Sequence, residues 1–119
     1  ADATRWYMVS NANPWDNLKF DEAGIQEVRR VFFGTLYNTY GFFALYANVD
    51  NYDPATVKPV VKKHLAEFDR WIISRLNSLT EEVSGFYAAY DATPACRAIE
   101  NFVNAELSNW YVRQCRRRF

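Results

Sequence analysis

Histidine, cysteine, glycine and proline are all scarce in this 119-residue sequence, which contains one His, two Cys, four Gly and four Pro. No Cys or His cluster has metal-ligand spacing, so no metal site is expected. No glycine-rich phosphate loop is present, and no nucleophile or carboxylate can be placed beside the lone His64. The residues alone therefore predict no catalytic residue and no cofactor site in this chain.

Long apolar runs are also missing, since the longest uninterrupted one covers only 42–47. A membrane span needs roughly 20 apolar residues, and no signal-peptide pattern is present, so no membrane partner is expected. Cys96 and Cys115 would lie about 28 Å apart on one helix, too far for a disulfide. Free thiols favour a reducing, cytoplasmic location. The absence of an initial Met indicates a piece of a longer protein.

Apolar and aromatic residues are abundant, at 50% and 18% of the chain, which fits one globular domain and excludes disorder. The 14 basic and 14 acidic residues give a net charge of zero. These charges are unevenly placed, because 1–53 is net acidic while 93–119 is net basic. A locally basic end is a modest indication of a polyanionic partner.

The spacing of apolar residues predicts an all-α fold. A short helix is expected over 2–10 and a loop over 11–20, followed by long helices over 21–50, 68–90 and from 94 to the chain end. Asp21 and Thr93 are the expected N-caps, with Pro94 at the first position of the last helix. The short link between the last two helices predicts that they lie antiparallel, in a bundle of three long helices.

The first long helix is apolar most of the way round, so it needs more neighbours than two other helices provide. We therefore expect a bundle that is truncated from a larger one. Phe33, Tyr37 and Phe42 are expected to form an exposed patch through which the chain self-associates. Gly34 and Gly41 are expected to let another backbone approach this helix closely.

The end of the last helix carries the strongest functional pattern. Asn109, Arg113 and Arg116 step by four and three residues and so form one polar line, with Arg117 nearer the apolar stripe. Guanidinium groups at this spacing suit a run of phosphates, and Trp110 and Tyr111 can add a stacking face. The alternative is that the cations only complement the helix macrodipole, with Trp110 and Tyr111 in the core.

Polar and aromatic residues of the first long helix leave two interpretations open. Thr35 and Asn38 interrupt its apolar surface, and the simpler interpretation is that each makes an internal hydrogen bond. Phe42 projects off the main stripe, beside Asn38. It either belongs to the core against missing neighbours or is an exposed ring on which a nucleobase stacks.

Four segments of the sequence resemble isoleucyl-tRNA synthetases of class I, in the region after the catalytic domain and in the eukaryotic-like branch. They read ADATRWYMVSNANPWDNLKFD, EVRRVFFGTLYNTYGFFALYANVD, DRWIISRLNSL and NWYVRQCRRRF, and the match covers nearly the whole chain. The combination of PWDNLKFD with NWYVR and RRRF is specific to the isoleucine enzymes. Neither the HIGH nor the KMSKS signature of that family is present, so the chain by itself is expected to lack the active site.

The resemblance implies a division of the chain and a set of partners. Residues 1–20 would be the end of the stem-contact module, and 21–119 an incomplete anticodon-binding helical bundle. The partners would be tRNA of isoleucine type and the rest of the synthetase chain, which would use ATP elsewhere. The tRNA-binding candidates are Phe42, Asn109, Trp110, Arg113, Arg116 and Arg117. The rival interpretation is a purely structural scaffold, which would require these arginines to face carboxylates inside the bundle.

Overall fold

The computed structural model describes residues 1–58 and 60–118, without the side chain of Lys62. Within these ranges the chain is helical with no strand, which confirms the all-α prediction. Helix α1 spans Asp2–Ser10, α2 runs over 22–49, α3 spans Glu67–Ala88 and α4 runs over 92–118. A short 3-10 turn, Lys62–His64, lies in the link between α2 and α3. Phe119, the last residue of the predicted α4, lies outside the described residues.

Two of the helices contain wider turns. In α2, the segment Val28–Phe33 is π-helical between the α-helical segments Glu22–Glu27 and Gly34–Val49. In α4, Ala92–Asn101 is α-helical, Phe102–Val112 is π-helical, Arg113–Cys115 is α-helical and Arg116–Arg118 is a 3-10 turn. Neither π segment was predicted, because apolar spacing was read with the α-helical period.

The N-cap prediction is confirmed for α2 and wrong for α4. The Asp21 carboxylate accepts a hydrogen bond of 3.1 Å from the Ala23 N–H. Helix α4 instead begins at Ala92, before the predicted cap. The Thr93 hydroxyl is 1% exposed and lies 2.8 Å from the Val9 carbonyl oxygen, to which it donates. Thr93 thus supplies a hydrogen-bond donor to the C-terminal end of α1, where the last carbonyl oxygens lack helical partners.

Helix α4 is the central element, because it packs against each of the other three helices. The buried apolar cluster joins α2, α3 and α4 through Phe32, Ile72, Phe102 and Val103. Partly buried side chains surround this cluster: Trp6, Phe33, Trp71, Leu79, Ile99, Leu107 and Tyr111. The core therefore sits where the middle of α4 crosses its neighbours.

Helix α1 is anchored in the same core. The Trp6 ring stacks on Phe32 with centroids 4.5 Å apart and planes inclined by 21°. The Trp6 indole N–H donates a hydrogen bond to the Glu100 carboxylate. The Arg97 guanidinium donates to the carbonyl oxygens of Ser10 and Asn11, at 2.9 and 3.0 Å. A cation at this position also complements the C-terminal end of the α1 dipole.

The C-terminal half of α2 exposes much apolar surface, but the residues differ from those predicted. Phe33 packs against the core cluster and Phe42 is half-buried, so neither belongs to an exposed apolar patch. Tyr37 is 74% exposed, in agreement with the prediction. The other exposed apolar residues of this half are Leu36, Tyr40, Phe43, Leu45 and Val49. Leu36, Tyr37, Tyr40 and Phe43 lie along one side of the helix, and we call these four residues the α2 apolar face; Leu45 and Val49 lie on the opposite side.

Within the described ranges, no helix combines the length and the apolar character needed to cross a membrane.

Candidate nucleic-acid interface

Two of the predicted site residues, from different helices, meet at the end of α4. The central guanidinium carbon of Arg116 lies 5.9 Å from the centroid of the Phe42 ring, which is cation–π distance. Phe42 also contacts Tyr46 of α2, with centroids 4.9 Å apart. The structure thus joins Phe42 and Arg116, which are 74 residues apart in the sequence.

A polar groove runs beside this pair, between α2 and α4. It encloses about 240 Å³. Its lining residues are Thr35, Asn38, Thr39, Phe42, Ser108, Val112 and Arg116. Among the described residues, the side chains of Thr35 and Asn38 have no hydrogen-bond partner, so the expected internal hydrogen bonds are not formed. Their hydroxyl and amide groups instead line the groove, where they can bind a polar ligand.

The remaining arginines of the predicted set are exposed. Arg113 and Arg117 lie on the surface of α4, as does Asn109. The salt bridges of the described residues join Arg5 to Asp2, Arg30 to Glu27, Arg75 to Glu106 and Arg118 to Asp69. In that part of the chain, therefore, no carboxylate pairs with Arg113, Arg116 or Arg117. The internal pairing that a pure scaffold would require is not formed by these three residues.

Trp110 faces a different neighbour. Its ring is 49% exposed and lies 6.4 Å from the Phe68 ring of α3, with the planes inclined by 60°. The adjoining cavity is lined by Glu67, Phe68, Trp71 and Trp110 and encloses about 270 Å³. Trp110 therefore lies on the α3 side of α4, whereas Phe42 and Arg116 meet on the α2 side.

Arg118, which is not among the predicted site residues, forms an ion pair with a carboxylate of α3. Its Nη1 lies 2.6 Å from Asp69 Oδ1, and its Nη2 lies 2.8 Å from Asp69 Oδ2. Asp69 is 8% exposed and also accepts a hydrogen bond of 2.8 Å from the Tyr111 hydroxyl. Asp69 was not among the residues predicted from the sequence. The missed signal is its position three residues before Ile72, which is buried on the same face.

The pKa values of this cluster follow from its geometry. The hydrogen bonds from Arg118 lower the pKa of Asp69, so the carboxylate stays ionised despite its burial. Burial and the neighbouring Asp69 raise the pKa of Tyr111 to about 12, which keeps the phenol protonated as a donor. The cluster therefore holds one negative and one positive charge, which offset each other.

A second ion pair joins α3 and α4 nearer their middles. Arg75 Nε lies 2.7 Å from Glu106 Oε2, and Arg75 Nη2 lies 2.8 Å from Glu106 Oε1. Both cysteines are unpaired, as predicted, and both are buried. The described residues contain no group of three or more His, Cys, Asp or Glu side chains that could hold a metal ion.

Part of the chain also matches a known protein family. Residues 69–119 match the family described as the anticodon-binding domain of tRNA ligase. This segment, which is 51 of the 119 residues, is similar to anticodon-binding domains of tRNA ligases. It contains the basic end of α4, Trp110 and Asp69, while Phe42 lies before it in the sequence.

The whole chain is similar to one segment of isoleucine–tRNA ligases. It is 60% identical to the enzyme of Bacteroides thetaiotaomicron and 58% identical to that of Cytophaga hutchinsonii, with 100% and 99% of the chain covered. It is 45% identical to the enzyme of Clostridium kluyveri, again over the full chain. The chain spans about one-tenth of the length of these curated relatives. All three are bacterial, and they do not support the eukaryotic-like branch that the sequence suggested.

Proposed function

We propose that this chain is the part of an isoleucine–tRNA ligase that docks the anticodon stem and loop of tRNA, without catalysing a reaction itself. The observation that carries the proposal is the surface at the end of α4. There, Arg116 lies over Phe42 beside a polar groove, with Arg113 and Arg117 exposed and unpaired by carboxylates. Cations beside an aromatic ring are the combination that unpaired nucleotides require.

Each candidate residue has a distinct task in this proposal. Arg113, Arg116 and Arg117 bind phosphates, since a guanidinium fork matches two phosphate oxygens. Phe42 offers its ring to a base, and Arg116 is placed to contact the neighbouring phosphate. Asn109 and Trp110 act as contacts or as supports. Because phosphate contacts carry no sequence information, the arginines position the RNA and do not identify it.

The wider setting is also part of the proposal. Residues 1–20 form the end of the stem-contact module, and 21–119 begin an antiparallel helical bundle that further helices of the ligase complete. The complete enzyme is cytoplasmic, activates isoleucine with ATP and transfers it to tRNA. The α2 apolar face supports the proposal that the bundle is incomplete, because so much exposed apolar surface on one helix is typical of a face that another helix covers.

A scaffold role remains the second candidate for two of the residues near this surface. Trp110 packs beside Phe68, and Arg118 is paired internally with Asp69. In the scaffold alternative, all tRNA contacts would come from segments outside this chain.

The test is to replace Arg113, Arg116 and Arg117 together with Gln and to measure binding of tRNA of isoleucine type over a range of salt concentrations. Each phosphate contact releases about one counterion, so we expect the slope of log affinity against log salt to flatten by about 2 to 3. The melting temperature should hardly change. The control is Lys58→Gln with Lys63→Gln, which removes exposed positive charge from the link between α2 and α3.

The two candidate functions give opposite results in this experiment. An RNA contact changes the slope and leaves the melting temperature in place. A scaffold role lowers the melting temperature and leaves the slope of any residual binding unchanged, which would contradict the proposal.

A further inference from the structure

The three consecutive arginines at the end of α4 point in three directions. Arg116–Arg118 form a 3-10 turn, whose period of three residues separates neighbouring side chains by about 120°. Arg116 contacts Phe42 of α2, and Arg118 contacts Asp69 of α3. Arg117 takes the remaining direction and is exposed. The contact made by one arginine therefore constrains where the other two can point.

The Arg118 contact is the stronger of the two. It is bidentate, with N–O distances of 2.6 and 2.8 Å, and a fork-to-carboxylate pair fixes orientation as well as distance. The Asp69 side chain is only 11% exposed, so solvent screens this pair less than it screens an ordinary surface ion pair. The Tyr111 hydroxyl, one turn before the arginines, holds the same carboxylate from α4.

This cluster joins the start of α3 to the end of α4, next to the surface that we propose binds RNA. Asp69 lies in the first turn of α3, and Arg118 lies in the last turn of α4. The Asp69 carboxylate thus connects the turn of the three arginines to α3 and at the same time neutralises Arg118.

From this geometry we infer that Asp69 is a positioning residue for tRNA: it binds Arg118 as an anchor, and so directs Arg116 and Arg117 toward the RNA. The inference rests on the proposed function and deepens it, because it divides the arginine triplet into one anchor and two contacts. Arg118 is then paired with Asp69 and touches no phosphate.

The first experiment measures tRNA affinity and its salt dependence for Asp69→Asn, Arg118→Gln and the double variant, with Arg117→Gln for comparison. Arg118→Gln should weaken binding by about five- to tenfold without changing the salt slope, because Arg116 and Arg117 still reach phosphates in the complex but must first be ordered on binding. Arg117→Gln should weaken binding and flatten the slope by about 1. The double variant should be no weaker than Arg118→Gln, since both changes break one pair.

Glu106→Gln is the matched control. It breaks the Arg75–Glu106 pair, which joins the same two helices through a bidentate contact of similar length, away from the arginine triplet. A merely structural role for Asp69 predicts that Asp69→Asn and Glu106→Gln reduce tRNA affinity equally. The positioning role predicts that Glu106→Gln leaves the affinity within about twofold of the unaltered chain.

The second experiment needs no RNA. The side-chain protons of Arg116 lie near the face of Phe42, so the ring current shifts their NMR signals from the values of a free arginine. These shifts should collapse toward free values in Asp69→Asn and in Arg118→Gln, and persist in Glu106→Gln. Arg118→Gln changes a side chain that is 52% exposed, so this variant should fold even if Asp69→Asn does not.

The outcomes separate the inference from the proposed function. If the unaltered chain does not bind tRNA, the proposed function and the RNA role of Asp69 both fall, whatever the NMR signals show. If tRNA binds but Arg118→Gln flattens the salt slope, Arg118 is a phosphate contact and the inference alone is overturned. The inference would also be overturned if the NMR shifts of the Arg116 side-chain protons stayed unchanged in both Asp69→Asn and Arg118→Gln.

Discussion

Single residues determine how closely the helices approach one another, and the clearest case is Gly24. A Cβ built on Gly24 would lie 2.4 Å from Cε2 of the Tyr7 ring. Tyr7 is 5% exposed and its hydroxyl donates to the Lys19 carbonyl oxygen at 3.2 Å, so the ring has little room to move. The predicted close approach at Gly41 is not made within the described chain, because a Cβ there would meet nothing within 4 Å. At Gly34 it would meet only the Arg29 carbonyl oxygen of the same helix, at 3.4 Å.

We expect Gly24→Ala to destabilise the chain by about 1 to 3 kcal/mol, because the added methyl group overlaps the Tyr7 ring. Gly41→Ala is the control and should stabilise α2 by up to about 1 kcal/mol, since alanine is the better helix former and has open space there. Urea unfolding monitored by circular dichroism measures both changes. A urea-unfolding midpoint raised by both substitutions would contradict this prediction, because it would show that the Tyr7 ring moves to make room for the methyl group.

At the scale of helices, the two π segments change which residues share a face. The Gly34 N–H bonds to the Arg29 carbonyl and the Arg113 N–H to the Ser108 carbonyl, each five residues back. A wider turn rotates every later side chain relative to an α-helix of the same sequence. The predicted line of Asn109, Arg113 and Arg116 crosses the end of such a segment, so α-helical spacing does not describe it. Both π segments contribute residues to the core, Phe32 from α2 and Phe102 and Val103 from α4.

Core and contact roles on these helices can be separated by mutation. Phe102 is 7% exposed within the core, so Phe102→Ala should cost about 3 to 5 kcal/mol of unfolding free energy. Phe42 is half-buried at the edge of the groove, and Phe42→Ala should cost much less while weakening tRNA binding. Melting temperatures and tRNA affinities of both variants provide the measurement. An equal loss of stability would place Phe42 in the core and remove it from the proposed site.

At the scale of the whole molecule, the chain is elongated. Its radius of gyration is 16.9 Å and its dimensions are 49 × 29 × 26 Å. A compact domain of this length would have a radius of gyration of about 13 to 14 Å. The difference fits helices that pack along α4 and leave the α2 apolar face uncovered. An uncovered apolar face of this kind tends to find a partner.

We expect the isolated chain to self-associate through the α2 apolar face at high concentration. Introducing charge with Tyr37→Glu and Tyr40→Glu, at residues that are 74% and 66% exposed, should shift it toward the monomer without unfolding it. Glu81→Gln on the exposed surface of α3 is the control and should leave association unchanged. Sedimentation velocity over a concentration series measures the effect. A strict monomer at every concentration would contradict this expectation.

The sequence by itself determined the all-helical class, the positions of the helices to within a few residues, the free cysteines and the basic end of α4. These features depend on local spacing, capping and charge, which neighbouring residues specify. The tertiary structure decided the rest. It brought Phe42 to Arg116, paired Asp69 with Arg118, used Thr93 to satisfy α1 and placed Gly24 against Tyr7. Such contacts join residues far apart in the chain, and they depend on the wider turns and helix crossings that apolar periodicity does not encode.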